Sequence, residues 1–459
     1  MATTRTRRAV GPATSSSRSG VPTSGELGER IQRAATSAAS DHATPFYLTD
    51  LAALDAAAEA VERAFPDPWI RSYSLKADPL PTVVRHLLTR GWGANCVSLG
   101  EIDAARAAGA RNEQITLEGI GKGPDEFDAA IVASAAGEPL RWVALESADE
   151  ARALAARAHG AGLKASQPIR VLLRSNPAIE PGTHDGLAVG RESSKFGMDT
   201  TELLEAAKVV AASSGALQLI GIHLHAGSQL HDMVAWQTAV SRSLSAYGAL
   251  VTANLIDAAT HAERGVLCVG GGFPVALDGT DDAAAQALTF RNAADAAWRS
   301  ADGAVPLLRA IEPGRAAVAA ATLLIARVLH VRTRRETVSG PLSLDGVGES
   351  ECGRQVILDA GMGELIRPAL YGARHPVTAL QKSGGAVLSA VHGPICESTD
   401  ALGAHLLPGD LARGDLVAIA GAGAYADAMW SPYNGRPRPA RLTVNEDGEI
   451  ELLRRRGER

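Results

Sequence analysis

Between residues 68 and 315 the chain alternates eight short β-rich runs with alanine-rich stretches of helical periodicity, and no other feature restricts its fold so strongly. The runs are 70–77, 93–99, 114–119, 141–147, 169–176, 217–227, 265–273 and 307–315. Between them, in 81–90, 124–136, 149–159, 201–213 and 235–262 among others, apolar residues recur at three- and four-residue spacing. Strict alternation of this kind makes parallel strands joined by crossover helices. Eight units in about 250 residues match a closed (β/α)8 TIM-type barrel; the alternative is an open doubly wound sheet.

The flanks differ in character. Runs of Val, Leu and Thr at 322–331, 355–358, 386–391, 416–419 and 440–444 alternate with Gly/Pro turns and predict a mostly β C-terminal domain. Residues 44–48 are expected to add a strand to it. The expected organisation is therefore a disordered tail over 1–25, a segment 26–50 joining the β domain, a barrel over 51–315 and a β domain over 316–459. The tail is rich in Ser, Thr and Arg, and no hydrophobic run follows Arg7 and Arg8, which argues against a secretory signal.

Composition excludes several function classes. A net charge of −6 gives no electrostatic bias toward nucleic acid or acidic lipid. The apolar stretch 316–326, between Arg315 and Arg327, is too short for a membrane span, which needs about 20 residues. Cys96, Cys268, Cys352 and Cys396 lie far apart without CxxC spacing, so a reducing, cytoplasmic setting is expected and a zinc site or disulfide scaffold is not.

A barrel assembles its active site at the C-terminal ends of its strands, and unusual polar residues gather there. Lys76 ends the first run, Glu146 and Ser147 the fourth, Arg174 and Asn176 the fifth, and His223 and His225 the sixth. Gly270, Gly271 and Gly272 end the seventh, and Glu312 and Arg315 the eighth. Lys76 is one of only six lysines among 45 basic residues; where charge alone serves, this sequence uses arginine. A desolvated lysine can become a nucleophilic amine and form a Schiff base, which arginine cannot. The competing reading is a solvated strand tip in a chain whose arginine excess reflects base composition.

Each of the other ends has a chemical use. Three consecutive glycines let backbone N–H groups cradle a phosphate. The sequence Glu312-Pro-Gly-Arg315 sets a carboxylate and a guanidinium around a rigid turn, and a salt bridge is its bland alternative. His225-Ala-Gly-Ser-Gln229 offers a flat ring and a hydroxyl. His223 and His225 share one face of a strand, but no Asp, Glu or Cys accompanies them at ligand spacing, so no metal is expected. An imine-forming lysine, a phosphate cradle with Ser228, a ring to stack and an acid for a pyridinium nitrogen all suit pyridoxal 5'-phosphate (PLP).

Seven motifs, YSLKAD, HLHAGSQ, GGGF, EPGR, GMGELIRPALYGARHP, GPICESTD and GAGAYADAMWSPYNGRPRP, stand in the order and at about the separations found in barrel-type (fold type III, alanine racemase-like) PLP-dependent decarboxylases. The chain resembles the diaminopimelate decarboxylases in particular, over residues 42–445. The resemblance implies that Lys76 carries PLP as its Schiff-base amine, that His225 stacks on the ring, and that Ser228 and the Gly270 to Gly272 turn hold the phosphate, with Gly314 and Arg315 beside them. It places Glu312 at the pyridine nitrogen, where related racemases carry an arginine, and so favours decarboxylation. It makes Cys396 the proton donor, reaching across a homodimer interface, with Glu397, Arg367 and Tyr371 contacting substrate and Tyr425 at the cofactor. Arg315 faces phosphate or substrate in this scheme, while Asp400 and Asp427 are structural or solvated. The implied reaction converts meso-diaminopimelate to L-lysine and CO2.

Departures bear on the substrate. Asp78 replaces an asparagine, 116–122 lacks a His-Gly-Asn, and 429–434 reads Met-Trp-Ser-Pro-Tyr-Asn, with Trp430 near Tyr425. The alternatives are a specialised-metabolism decarboxylase of another amino acid with a distal carboxylate, such as a siderophore or antibiotic intermediate, and a regulatory homologue without catalysis.

Overall fold

The structure is a computed structural model that describes residues 27–180, 189–275 and 283–458; the tail expected over 1–25 lies outside them. The first elements of the described residues are helix α1 (Glu29–Asp41), strand β1 (Phe46–Asp50) and helix α2 (Leu51–Ala64). Eight parallel strands then close into a barrel: β2 (Ile70–Ser74), β3 (Gly93–Cys96), β4 (Ile115–Leu117), β5 (Trp142–Leu145), β6 (Ile169–Arg174), β7 (Leu217–His223), β8 (Val266–Cys268) and β9 (Leu308–Ile311). Pairing of Ile70 with Ala310 closes the ring, so the open-sheet alternative is excluded.

The helices between the strands start where the sequence supplies caps. α3 (Pro81–Thr89) and α5 (Pro124–Ala135) open on proline, whose missing N–H costs nothing at that position. Ser98, Ser147 and Asp199 accept from backbone N–H groups at the starts of α4 (Leu99–Ala107), α6 (Ala148–Gly160) and α7 (Thr200–Ala211). The single helix expected over 235–262 is instead two, α8 (Met233–Thr252) and α9 (Ala258–Arg264). Asn254 between them takes a φ of 53°, and Asp257 caps α9. The next helix is α10 (Ala283–Arg299).

Alternation along the strands decides what faces the barrel axis. Trp142, Ala144, Leu172, Ile220, Val266, Cys268 and Ala310 fill the interior. Their strand neighbours Val143, Leu145, Val171, Leu173, Leu267, Val269 and Ile311 pack outward against the helices. The strands end earlier than the β-rich runs do. The inward positions continue as Glu118, Glu146, Gly270 and Glu312 just past the ladder and as Arg174 and His223 at its last paired rung, His223 reaching the inward face through an irregularity in the β6–β7 register.

The remaining strands are β10 (Thr322–Arg332), β11 (Glu336–Ser339), β12 (Glu349–Cys352), β13 (Arg354–Leu358), β14 (Val377–Ala379), β15 (Ala386–His392), β16 (Ala401–Pro408), β17 (Leu416–Ile419), β18 (Ala440–Val444) and β19 (Ile450–Arg454). Nine strands form one sheet around the path β16-β15-β13-β10-β1-β18-β19, with β17 paired to β10 and β14. As expected, the strand preceding the barrel belongs to this sheet: β1 pairs antiparallel with β10 and parallel with β18. That insertion anchors the β domain beside the barrel mouth.

Candidate active site

Lys76 lies in a short 3-10 turn, Leu75–Ala77, directly after β2. The turn is held on both sides, because Ser74 N–H donates to Pro313 O (3.2 Å) and Tyr425 N–H donates to Ala77 O (2.8 Å). Tyr425 adopts a φ of 58°, a left-handed conformation that a non-glycine residue keeps only where its surroundings enforce it. Two cavities, of about 170 and 390 Å3, meet here and share Lys76, Val189, His225 and Glu312.

The smaller cavity is built for anions. Ser228, Gly272, Gly314, Arg315, Arg367, Tyr371 and Tyr425 all line it. A Cβ on Gly271 would stand 2.3 Å from Glu312 O, and one on Gly272 would stand 2.2 Å from Gly227 O, so the turn after β8 tolerates no side chain. Gly271 N–H points to His225 Nδ1 (3.3 Å). Arg315 donates through Nη2 to Ser228 Oγ (3.0 Å) and lies over the Tyr425 ring (4.9 Å), yet its buried Nε and Nη1 have no partner among the described residues. Burial disfavours the Arg315 cation, and burial with the charge of Arg315 does the same to Arg367. A guanidinium stays protonated in proteins, so the unrelieved cost of two neighbouring cations is a driving force for binding anions. Arg367 Nη1 donates to His375 Nε2 (3.0 Å), and His375 Nδ1 lies 2.9 Å from Ala420 O. His375 is pushed to about 3 by burial and by Arg367, which keeps its ring neutral and an acceptor for Arg367.

The larger cavity holds a buried polar cluster on its floor. Glu118, Arg174, Phe196 and His223 line it beside Lys76 and Glu312. Glu146 pairs with Arg174, which also lies 4.9 Å over Phe196. Ser147 does not join them; it caps α6. His223 Nε2 stands 3.0 Å from Glu312 Oε1 and 3.3 Å from Glu118 Oε2, while Cys268 Sγ donates to Glu312 Oε1 (2.8 Å). The acids and thiol that chain spacing did not supply to His223 thus come from three other strand ends. Burial, and next the Glu312 carboxylate, raise Glu118 to about 8. Burial lowers His223 to about 4 and lowers His225 well below its ordinary value, so both imidazoles are neutral near pH 7.

The other expected site residues lie on loops of the β domain. Cys396 and Glu397, between β15 and β16, are exposed and line neither cavity; Tyr433 Oη donates to Glu397 Oε1 (2.7 Å). Asp400 is buried, not solvated, and accepts from Met362 N–H (2.6 Å) and Ile395 N–H (2.7 Å), which shapes the loop bearing Cys396. Asp427 is buried among Arg438, Arg441 and Arg454. Trp430 packs under Arg438 (5.6 Å) away from the cavity, and its neighbour Met429 lines the cavity instead. Sequence reasoning missed Glu118, Cys268 and His375 as members of the site. For the first two, the signal was inward parity at a strand end.

Residues 51–319 match the family model described as pyridoxal-dependent decarboxylase, pyridoxal binding domain. A diaminopimelate decarboxylase of Aquifex aeolicus is 32% identical over 414 residues, covering 90% of this chain and 89% of the relative. One of Deinococcus radiodurans is 34% identical over 422 residues, covering 91% and 94%. The crystal structure of diaminopimelate decarboxylase from Helicobacter pylori complexed with L-lysine superimposes with a TM-score of 0.78 at 29% identity, covering 92% of this chain and 96% of that one.

Proposed function

The chain belongs to the pyridoxal-dependent decarboxylases, and from that premise we propose that it decarboxylates meso-diaminopimelate to L-lysine, using Lys76 as the cofactor-bearing amine. One observation carries the substrate assignment: two buried guanidiniums, Arg315 and Arg367, line the same cavity as Lys76. One anion, a cofactor phosphate, needs only one of them.

The residues fit PLP. The side-chain-free turn at Gly270 to Gly272, the Ser228 hydroxyl and the unpartnered Nε and Nη1 of Arg315 suit a phosphate. Neutral His225 presents a ring beside Lys76, and Gly314 keeps the turn close to Ser74, where a Cβ would stand 3.1 Å from Ser74 Cβ. When bound, PLP supplies an electron sink for the pair left by the departing carboxylate. Glu312 holds a proton at the ring nitrogen, and Tyr425 closes the cavity wall under Arg315. Arg367 and Tyr371 are placed to take a distal carboxylate.

Cys396 and Glu397 stand outside this cavity, so we assign them to the site of a second copy in a homodimer. There Cys396 returns a proton to the α-carbon and Glu397 contacts a substrate amine. All four cysteines are unpaired, in keeping with a reducing cytoplasmic setting. No described helix is long and apolar enough to cross a membrane. A CO2-release assay of PLP-loaded protein with meso-diaminopimelate, lysine, ornithine and arginine tests the proposal. Release is expected with meso-diaminopimelate, lost in Arg367→Ala; preferential release from ornithine or arginine would overturn it.

A further inference from the structure

The two carboxyl groups on the barrel floor are an unusual pair for a site that must deliver one negative charge. Glu118 ends β4 and is 4% exposed; Glu312 ends β9 and is also 4% exposed. One carboxyl oxygen of each lies within 4.8 Å of one of the other's, and both carboxyls approach the same His223 Nε2, at 3.3 and 3.0 Å. Two buried carboxylates this close disfavour double ionisation, because each adds repulsion to an already unfavourable desolvation. Some proton must lie between them, and the surrounding groups identify its owner.

The charged and titratable neighbours come from every adjoining element. Cys268 at the end of β8 gives its S–H to Glu312 Oε1, and burial followed by the Glu312 charge keeps it a thiol. Cys96 of β3 is likewise held as a thiol by burial. Trp142 of β5 donates from Nε1 to Glu118 Oε1 (3.4 Å) and does not titrate. His223 at the end of β7 approaches both carboxyls at 3.0 and 3.3 Å, but neither of its ring nitrogens has hydrogen-bond geometry, and burial keeps it neutral. Among the described residues, Lys76 and the Glu146–Arg174 pair also act on Glu118 or His223. None of these supplies a bridging proton, which leaves the carboxyl group of Glu118.

We propose that Glu118 is a positioning residue for the decarboxylation: its carboxyl group holds Glu312 through one shared proton, so that the pair presents a single negative charge to the cofactor's ring nitrogen. The assignment rests on the reading that Glu312 faces that nitrogen. A second charge would push Glu312 away from Glu118 and disturb its aim. Burial and Glu312 raise Glu118 to about 8, so the shared proton is present through the neutral range and is released to solvent above it.

Three PLP-loaded proteins test this: wild type, Glu118→Gln and Glu118→Ala. An amide at 118 keeps a hydrogen-bond donor toward Glu312 but has no proton to lose. Wild type is expected to show an alkaline fall in kcat that Glu118→Gln lacks, while the PLP dissociation constant of Glu118→Gln, read from the imine absorbance, stays within about threefold of wild type. Glu118→Ala is expected to lose at least about tenfold in kcat and to bind PLP more weakly, as an unsatisfied buried carboxylate reorients. Superimposable pH profiles for wild type and Glu118→Gln, or an alanine variant with wild-type kcat and PLP affinity, would overturn the role of Glu118 alone. Absence of an imine band from wild type would instead overturn the PLP reading on which it rests.

Discussion

Arg441 on β18 joins the two turns that frame the site, although it touches neither cavity. Its guanidinium is 1% exposed, lies 5.4 Å over the Tyr47 ring, and donates to Asp78 Oδ2 (2.7 Å), with Asp427 Oδ2 3.8 Å away. Asp78 stands two residues after Lys76 and Asp427 two residues after Tyr425. Removing one partner of a buried pair strands the other, so Arg441→Met is expected to destabilise the protein by about 3–5 kcal/mol in urea denaturation; a loss near zero would contradict this. Burial works against ionisation of Asp427, but Arg454, Arg441 and Arg438 outweigh it and hold its carboxyl below the usual range. A depressed carboxyl contributes stability above its unfolded value that is lost as pH falls through the folded one. Asp427→Asn should therefore lose stability less steeply than wild type as the pH falls below the ordinary carboxylate range, as followed by acid unfolding. Lys76, His225, Glu312 and Arg315 were legible in the sequence because each ends a strand-like run. The burial of Asp78, Asp427 and Asp400 was not, since each depends on a partner distant in the chain: Arg441 for Asp78, Arg454 for Asp427 and Met362 for Asp400.

Local chemistry and ladder pairing together set the elements, and only the first is written in contiguous residues. The eight strands and most helices could be read from periodicity and caps, but their ends could not. The run 265–273 contains a strand of only three residues, Val266–Cys268, because Gly270 and Gly272 take φ values of 70° and 94° and leave the ladder. Likewise 235–262 reads as one helix by periodicity and breaks at Asn254, whose left-handed turn lets Asp257 start a second. The early strand end makes the side-chain-free turn that we propose as the phosphate cradle. A methyl on Gly271 would collide with Glu312 O and push the β8 turn from the β9 end. Gly271→Ala is expected to weaken PLP binding by at least about tenfold, roughly 1.4 kcal/mol, with secondary structure by circular dichroism unchanged. Unaltered affinity would count against the cradle.

At the scale of the whole molecule, barrel strand ends and β-domain segments together line the cavity that holds Lys76. A strand from the N-terminal side of the barrel, β1, is built into the β-domain sheet, which ties the two together. The barrel was evident from the count of alternating units. Cys396, which the resemblance sends across a homodimer interface, lies outside the cavities of its own chain. If two copies share their sites, inactive Lys76→Ala and Cys396→Ala proteins should complement when mixed and refolded together, recovering about a quarter of the wild-type activity as hybrid dimers with one intact site. An active Cys396→Ala protein would place Cys396 outside the reaction, and no recovery from two inactive variants would confine the site to one chain. The most direct test of the account remains the amine at its centre. Borohydride reduction of the PLP-loaded protein, followed by peptide mass mapping, should find the phosphopyridoxyl group on Lys76 and none on Lys76→Ala; its attachment to another of the six lysines, or no attachment, would contradict the assignment.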